Sequence, residues 1–527
     1  MYPERTPVTT TLDALHNLLA AQGRTARSGQ VEAAKAIDAG DRHVALCAPT
    51  GVGKSALAIA ASLAAGGGII GMHSNGLVAQ YAAEIPEWEE ATGASIVTLV
   101  GKGHYWCKSA SPDLAGLTVA QKAHVVETGT FIGAGLEQKA YKAHTVLSLS
   151  VEKDEDDDDS FKTPCDECPF KASSCPLWQA RNDAAEADIV ITNATMLGLA
   201  LGGGVKWAAS IVKPVIVLDE AHADVDPIAE VLGSQITIKG EDGAAASAGL
   251  AEALSVVFDW ADDDTHPNVK KARRFLAHRK LAAAEGRKVA FSADEFKVVL
   301  TIPVDLTAVF APHRVIAMSA TLSDRNVKAL GLDATVKNLE GLDVSASTVF
   351  VDTTAPAWKF GKYNPAEHKA WAKYTAAKVT KAFRNGGATL ALFVSKDDLN
   401  AVVAQLPADV ARAALHYYAG TDRTKAIEIY KADPKNHLIV GCVSGAGTGV
   451  NLPGDLLRTV IVSRVPQNAP KNSDYAKWVE DTRAAVIQSV GRGHRFDGDW
   501  SHVHILGGFG SRNDVRKGLD DLGWVIK

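Results

Sequence analysis

The segment Ala48-Pro-Thr-Gly-Val-Gly-Lys-Ser55 follows the apolar run His43–Cys47 and opens a stretch rich in helix-forming alanine and leucine. Strand, glycine turn and helix in that order leave few folds open. The glycines let backbone N–H groups approach a phosphate closely, and the helix N-terminus adds partial positive charge. Such an element predicts an α/β chain whose parallel strands end at a nucleotide. Lys54 is expected to reach the β- and γ-phosphates of ATP, and Ser55 to ligate Mg2+. Thr50, Gly51 and Gly53 complete the expected nucleotide cradle.

The rest of the chain keeps that rhythm. Ile69–His73, Asp188–Thr192, Val215–Asp219 and Val315–Ser319 join His43–Cys47 as a first series of buried parallel strands. Thr389–Val394, His437–Gly441, Thr459–Ser463 and His502–Leu506 form a second. Two series predict two doubly wound α/β domains. At 527 residues the chain has room for insertions as well.

Two stretches interrupt the alternation. Residues 101–180 hold a cysteine cluster and the acidic run Asp154–Asp159, read as a solvated loop that would repel a phosphate backbone. Residues 224–312 are rich in Ala, Asp and Lys and are expected to be mostly helical. The Ser-, Thr- and Pro-bearing stretch 341–370 reads as a hinge.

Three further motifs carry chemistry. Val215–Asp219 runs into Glu220-Ala-His222. Asp219 is expected to hold magnesium, directly or through water, and Glu220 to orient and deprotonate an attacking water. Met318-Ser-Ala-Thr-Leu322 ends a strand and fits an element that links a nucleotide site to a nucleic-acid cleft. Gln488-Ser-Val-Gly-Arg492-Gly-His-Arg495 places two arginines three apart at a helix terminus. They can face a γ-phosphate across a domain cleft and supply charge to its transition state.

Cys107, Cys165, Cys168 and Cys175 lie between the phosphate loop and Asp219, with Cys168 and Cys175 each before a proline. Clustered thiols in a reducing compartment mean metal rather than disulfide, and thiolates suit zinc or iron–sulfur alike. Cys47 and Cys442 sit singly in apolar runs and read as small buried hydrophobes. The balance of 55 basic and 61 acidic residues, net −6, neither demands nor forbids a nucleic-acid cleft. No run approaches the roughly 18 apolar residues of a membrane span, and no leader-like start is present. A soluble, cytoplasmic, monomeric protein with no membrane partner is expected.

Taken in order, these motifs resemble the XPD/DinG family of superfamily 2 iron–sulfur DNA helicases, over nearly the whole chain. Arg27-Ser-Gly-Gln30 is similar to the family's motif whose Gln reads adenine. His73-Ser74-Asn75-Gly-Leu-Val-Ala-Gln80 is similar to its first DNA-contact motif, where a Thr stands in place of Ser74. Gly101–Cys107, Ala187–Asn193, Gly386–Ser395 and Gly449–Gly454 look like further family segments. Asn451 departs from the family's Asp, and Ser444–Thr448 lacks the usual aromatic and Glu.

The resemblance implies two RecA-like motor domains, residues 1–100, 181–223 and 313–340 forming the first and 341–527 the second. It implies a 4Fe–4S cluster on the four cysteines within 101–180, and an arch at 224–312. It implies ATP-driven 5′→3′ movement on single-stranded DNA and opening of forked duplex DNA, with the cluster domain as wedge. Ser74, Asn75, Tyr105, Trp106 and Ser395 are the expected DNA contacts. Bacterial or phage relatives are the nearer likeness.

Overall fold

The computed structural model describes residues 10–49, 51–134, 136, 141–145, 168–170, 174–202, 206–239, 242, 249–284, 288–293, 297–302, 304–339, 341, 343–356, 364–418, 423–443, 450, 452–465, 475–495, 498–507 and 513–527. Thr50, Cys165, Asn451, the run Asp154–Asp159 and Ser444–Thr448 lie outside these.

The first sheet begins with β1 (His43–Cys47), β2 (Gly68–Met72), β3 (Ile96–Leu99), β4 (Ile189–Asn193) and β5 (Val215–Asp219). The chain then leaves it for β6 (Ser234–Lys239), β7 (Ala290–Ala293) and β8 (Lys297–Ile302), and returns as β9 (Arg314–Ser319) and β10 (Val336–Asn338). The first sheet is parallel, in the order β10-β1-β9-β5-β2-β4-β3. β2 and β5 are buried at every position, as unbroken apolar runs in a two-faced sheet must be. Helices α1 (Thr11–Ala21), α2 (Ser28–Ala39), α3 (Lys54–Ala64) and α4 (Asn75–Thr92) accompany it.

The second sheet holds β11 (Thr348–Asp352), β12 (Thr389–Phe393), β13 (Ala414–Tyr417), β14 (Leu438–Cys442), β15 (Thr459–Val462), β16 (His502–Leu506) and β17 (Val525–Ile526). Its order is β13-β14-β12-β15-β16-β11-β17, again parallel. Two apolar cores cover it, one around Val460, Val503 and Ile505, the other around Trp371, Phe393 and Val440. The described chain therefore has two RecA-like parallel-sheet α/β domains with insertions. The nine strands read from sequence are present to within one residue at each end.

Two expectations gain detail. The stretch 224–312 is mostly helical among its described residues, as expected, and it also holds β6, β8 and β7 as an antiparallel sheet with Ile236 opposite Leu300 and Ile238 opposite Val298. Helices Leu250–Asp262 and Val269–Ala284 pack on it through Val257, Trp260 and Phe275. The half-buried alternation Ser-Gln-Ile-Thr-Ile-Lys of β6 carries the period of a strand. The stretch 341–370 is not only a hinge, because β11 lies within it, between β16 and β17.

Candidate nucleotide site

The strand order decides where the chemistry meets. β9 lies between β1 and β5, so the phosphate loop, Ser319 and Asp219-Glu220 all leave the carboxyl edge of neighbouring strands. A cavity of about 480 Å3 opens there. Gln30, Gly51, Gly53, Lys54, Ser55, Asp219 and Glu220 line it from the first domain, and Pro453, Arg492 and Arg495 close it from the second.

Gly53 caps α3 with φ +90°, and a Cβ there would come within 2.4 Å of Gln30 Nε2. Only glycine fits. Gln30 itself accepts the Arg27 N–H through Oε1 at 3.0 Å and donates through Nε2 to the Gly53 carbonyl at 3.4 Å. The Arg27 guanidinium donates to the Gly51 carbonyl. The carboxamide of Gln30 thus braces the loop and lines the cavity at once.

Glu220 turns out of β5 with φ 60° and ψ 42°, a left-handed conformation that a non-glycine residue rarely adopts. That turn sends its carboxylate into the cavity. Lys54 Nζ lies 3.4 Å from Glu220 Oε1 and donates to the Ala48 carbonyl at 3.2 Å. Ser319 Oγ donates to Glu220 Oε2 at 3.1 Å, and Gln488 Nε2 reaches the same oxygen at 3.4 Å from the second domain. Burial opposes the charge on Glu220, but Lys54, His222 and Arg492 outweigh it and keep the carboxyl below its usual range. Asp219 is pushed the other way, by burial and by the neighbouring Glu220 charge.

His222 lies 2.7 Å from Ser319 Oγ through Nδ1 and 3.2 Å from Gln488 Nε2 through Nε2. With Ser319 donating to Glu220, the tautomer that satisfies all partners carries its proton on Nδ1 and accepts from Gln488. Burial lowers its pKa to about 4, so the ring is neutral at pH 7. A single network therefore joins the two domains through Gln488.

Arg492 is buried and Arg495 half-buried, and both donate to the Val450 carbonyl, at 2.9 and 2.8 Å. Burial lowers both pKa values. Arg495 Nε is buried and has no hydrogen-bond partner among the described residues. Asp499, not singled out from sequence, fastens this turn. Its Oδ2 accepts the N–H of Arg495 at 3.1 Å and of Gly454 at 3.4 Å, while Oδ1 accepts Arg458 Nη1 at 2.8 Å.

Tyr81 on α4 was likewise missed. Its hydroxyl donates to Asp219 Oδ2 at 2.7 Å and lines the same cavity as Ser55. No local pattern marks it, since its role depends on how α4 packs against β2, β3 and β4 of the first sheet. The hydroxyl of Ser55 and the carboxylate of Asp219 are hard oxygen donors in one cavity, a set that fits magnesium.

The other expected residues are placed differently. Ser74 caps α4, accepting the Leu77 N–H. Asn75 is tied to His104 at 3.0 Å and accepts from Asn193 at 2.7 Å, at the edge of a separate cleft of about 1560 Å3. Tyr105 is 4% exposed, and its hydroxyl accepts the Val100 N–H, so its ring serves the first core rather than an open stacking surface. Trp106 is only partly buried, with Lys108 Nζ 5.3 Å from its ring. Ser395 caps the helix Lys396–Val403. Tyr417, Arg423 and Lys431 bring the second domain to the same large cleft.

Of the four clustered cysteines, three are described. Burial raises the Cys107 thiol, the N–H groups of Ala110 and Ser109 counter it, and Cys168 and Cys175 lie near enough to add their charge. Cys168 Sγ lies 3.3 Å from Ser109 Oγ. Soft sulfurs facing amide donors are suited to hold a metal as thiolates. Among the described residues no group of three or more His, Cys, Asp or Glu side chains is assembled as a metal site. No described helix is long and apolar enough to cross a membrane.

Comparison with known proteins agrees with this geometry. Residues 378–508 match the family model described as a helicase C-terminal domain. An XPD helicase structure aligns over 95% of this chain and 99% of its own, with TM-score 0.55 and 15% identity. The chain shares its overall fold with that structure. Xpd4 of S. tokodaii aligns over the same shares, with TM-score 0.51 and 11% identity. An apo XPD structure covers 92% of this chain and 96% of its own at TM-score 0.50 and 14% identity. No curated protein sequence matches the chain.

Proposed function

We propose that this chain is an ATP-dependent DNA helicase that moves 5′→3′ on single-stranded DNA and opens forked duplexes. One observation carries the motor reading: two arginines of the second domain line the same cavity as Lys54, Asp219 and Glu220 of the first. A site divided in this way couples hydrolysis to the relative motion of its two halves.

In this reading Lys54 leaves Glu220 for the β- and γ-phosphates when ATP enters. Glu220 then loses its nearest cation, becomes more basic and takes the proton of the attacking water. Gln488 and His222 hold its carboxylate while Arg492 and Arg495 exchange the Val450 carbonyl for the γ-phosphate. Charge develops on that group in the transition state, where a planar guanidinium fork acts most strongly. Magnesium would be held by Ser55 and Asp219 and would neutralise phosphate charge.

Residues 101–180, with Cys107, Cys165, Cys168 and Cys175, are the proposed 4Fe–4S domain, and 224–312 the proposed arch. The large cleft beside Asn75, Trp106 and Arg423 is the proposed path of single-stranded DNA, with cations for phosphates and a ring for stacking. ATP hydrolysis measured with and without single-stranded DNA tests the motor. Strand displacement on 5′- and 3′-tailed duplexes tests the direction. DNA-stimulated hydrolysis without displacement would instead mark a translocase that remodels protein–DNA complexes.

A further inference from the structure

Tyr81 lines the cavity together with both groups proposed to hold the cation, Ser55 and Asp219. Its phenol donates to Asp219 Oδ2 at 2.7 Å. Asp219 Oδ1 is meanwhile fixed by the Glu220 N–H at 3.1 Å, so donors at both oxygens set the plane of the carboxylate. Tyr81 has no freedom to swing away. It is 2% exposed and meets Trp88 edge-on, with ring centroids 5.4 Å apart.

We propose that Tyr81 is a positioning residue for the divalent cation: it donates a hydrogen bond to Asp219 and so fixes the plane in which that carboxylate offers its remaining lone pairs to the ion. This rests on the nucleotide-site reading above and adds to it a residue outside the phosphate loop and the Asp219-Glu220 turn. Groups that orient metal ligands change metal affinity by about 10–100-fold when removed. A phenol that merely fills the core would leave that affinity alone.

The test is Mn2+ binding to the ADP-loaded full chain, followed by electron paramagnetic resonance, for the parent and for Tyr81→Phe. ADP affinity in EDTA is measured beside it as a check on the fold. Mn2+ affinity is expected to fall about tenfold or more, with altered Mn2+ line shape and metal-free ADP affinity retained. Equal Mn2+ affinity and line shape in parent and Y81F overturn the role of Tyr81 and leave the nucleotide site standing. Failure of the parent to bind ADP overturns the nucleotide site and this inference with it. A second measurement needs no variant. Addition of Mg2+ to the ADP-loaded parent should perturb the ultraviolet absorption of a buried tyrosine. A flat tyrosine difference spectrum in a parent that binds the ion overturns the proposal.

Discussion

Lys54 and Glu220 form an ion pair, with Nζ 3.4 Å from Oε1, across the cavity that ATP is proposed to fill. The pair keeps Glu220 ionised and holds Lys54 where the phosphates would go. Lys54→Ala should abolish DNA-stimulated hydrolysis while the fold stands. Glu220→Gln should still bind ATP but lose about 10²–10⁴-fold in turnover, the usual worth of a general base. Parent-rate hydrolysis by either variant, in a phosphate-release assay, would sink the motor assignment.

Arg492 and Arg495 share the Val450 carbonyl as acceptor, so both are withdrawn from water before any nucleotide arrives. Lysine in either place keeps the charge and loses the planar fork. Turnover should drop by about 10³-fold or more, with ATP affinity changed much less. Equilibrium nucleotide binding alongside single-turnover hydrolysis separates the two. A loss confined to affinity would place these side chains outside the transition state.

Asp499 ties Arg495 to the Gly454 turn through one carboxylate oxygen. Asp499→Asn keeps the shape and weakens both bonds, since a neutral oxygen is a poorer acceptor. The expected outcome is a lower kcat with little change in KM for ATP. Arg495 would then be the residue through which Asp499 acts, and combining Asp499→Asn with Arg495→Lys should cost little beyond Arg495→Lys alone.

His222 is held neutral by burial, with a pKa of about 4 against 6.5 for a free ring. Because the folded value is the lower one, the unfolded chain binds the extra proton first as pH falls. The stability contributed by neutral His222 is thus whole above about 6.5 and drains away toward about 4. That window is worth on the order of 3 kcal/mol. His222→Gln should flatten the difference in denaturant midpoints between pH 7 and pH 5. An unchanged slope would show that the ring is not buried neutral.

Cys168 and Cys175 both lie within electrostatic reach of Cys107. Purified protein should be brown and carry about four irons per chain on the 4Fe–4S reading. Cys168→Ser should bleach it and cost unwinding more than basal hydrolysis, because Cys168 does not line the nucleotide cavity. A colourless protein with one zinc would overturn the cluster.

What could be read before folding was whatever chemistry is written locally. The phosphate loop needs only eight consecutive residues, and the Asp219-Glu220 pair needs only the end of one strand. β2, β5 and β14 were legible because a strand covered on both faces is a continuous apolar run. β13 escaped notice because it is four residues long with His416 inside it, and β11 because only one of its five positions is buried. The sheet in 224–312 escaped because its period-two alternation is short beside the alanine-rich helices that pack on it.

The sequence by itself determined that this chain is a two-domain α/β protein with a phosphate loop, a Asp219-Glu220 carboxylate pair and an arginine pair. Tertiary structure alone decided that Tyr81 reaches Asp219, that Tyr105 belongs to the core, and that Asp499 anchors Arg495. The physical reason is distance along the chain. Hydrogen bonds such as Tyr81 to Asp219 and Gln488 to Glu220 join residues separated by 138 and 268 positions. Their geometry comes from strand order and helix packing, which no local window of the sequence contains.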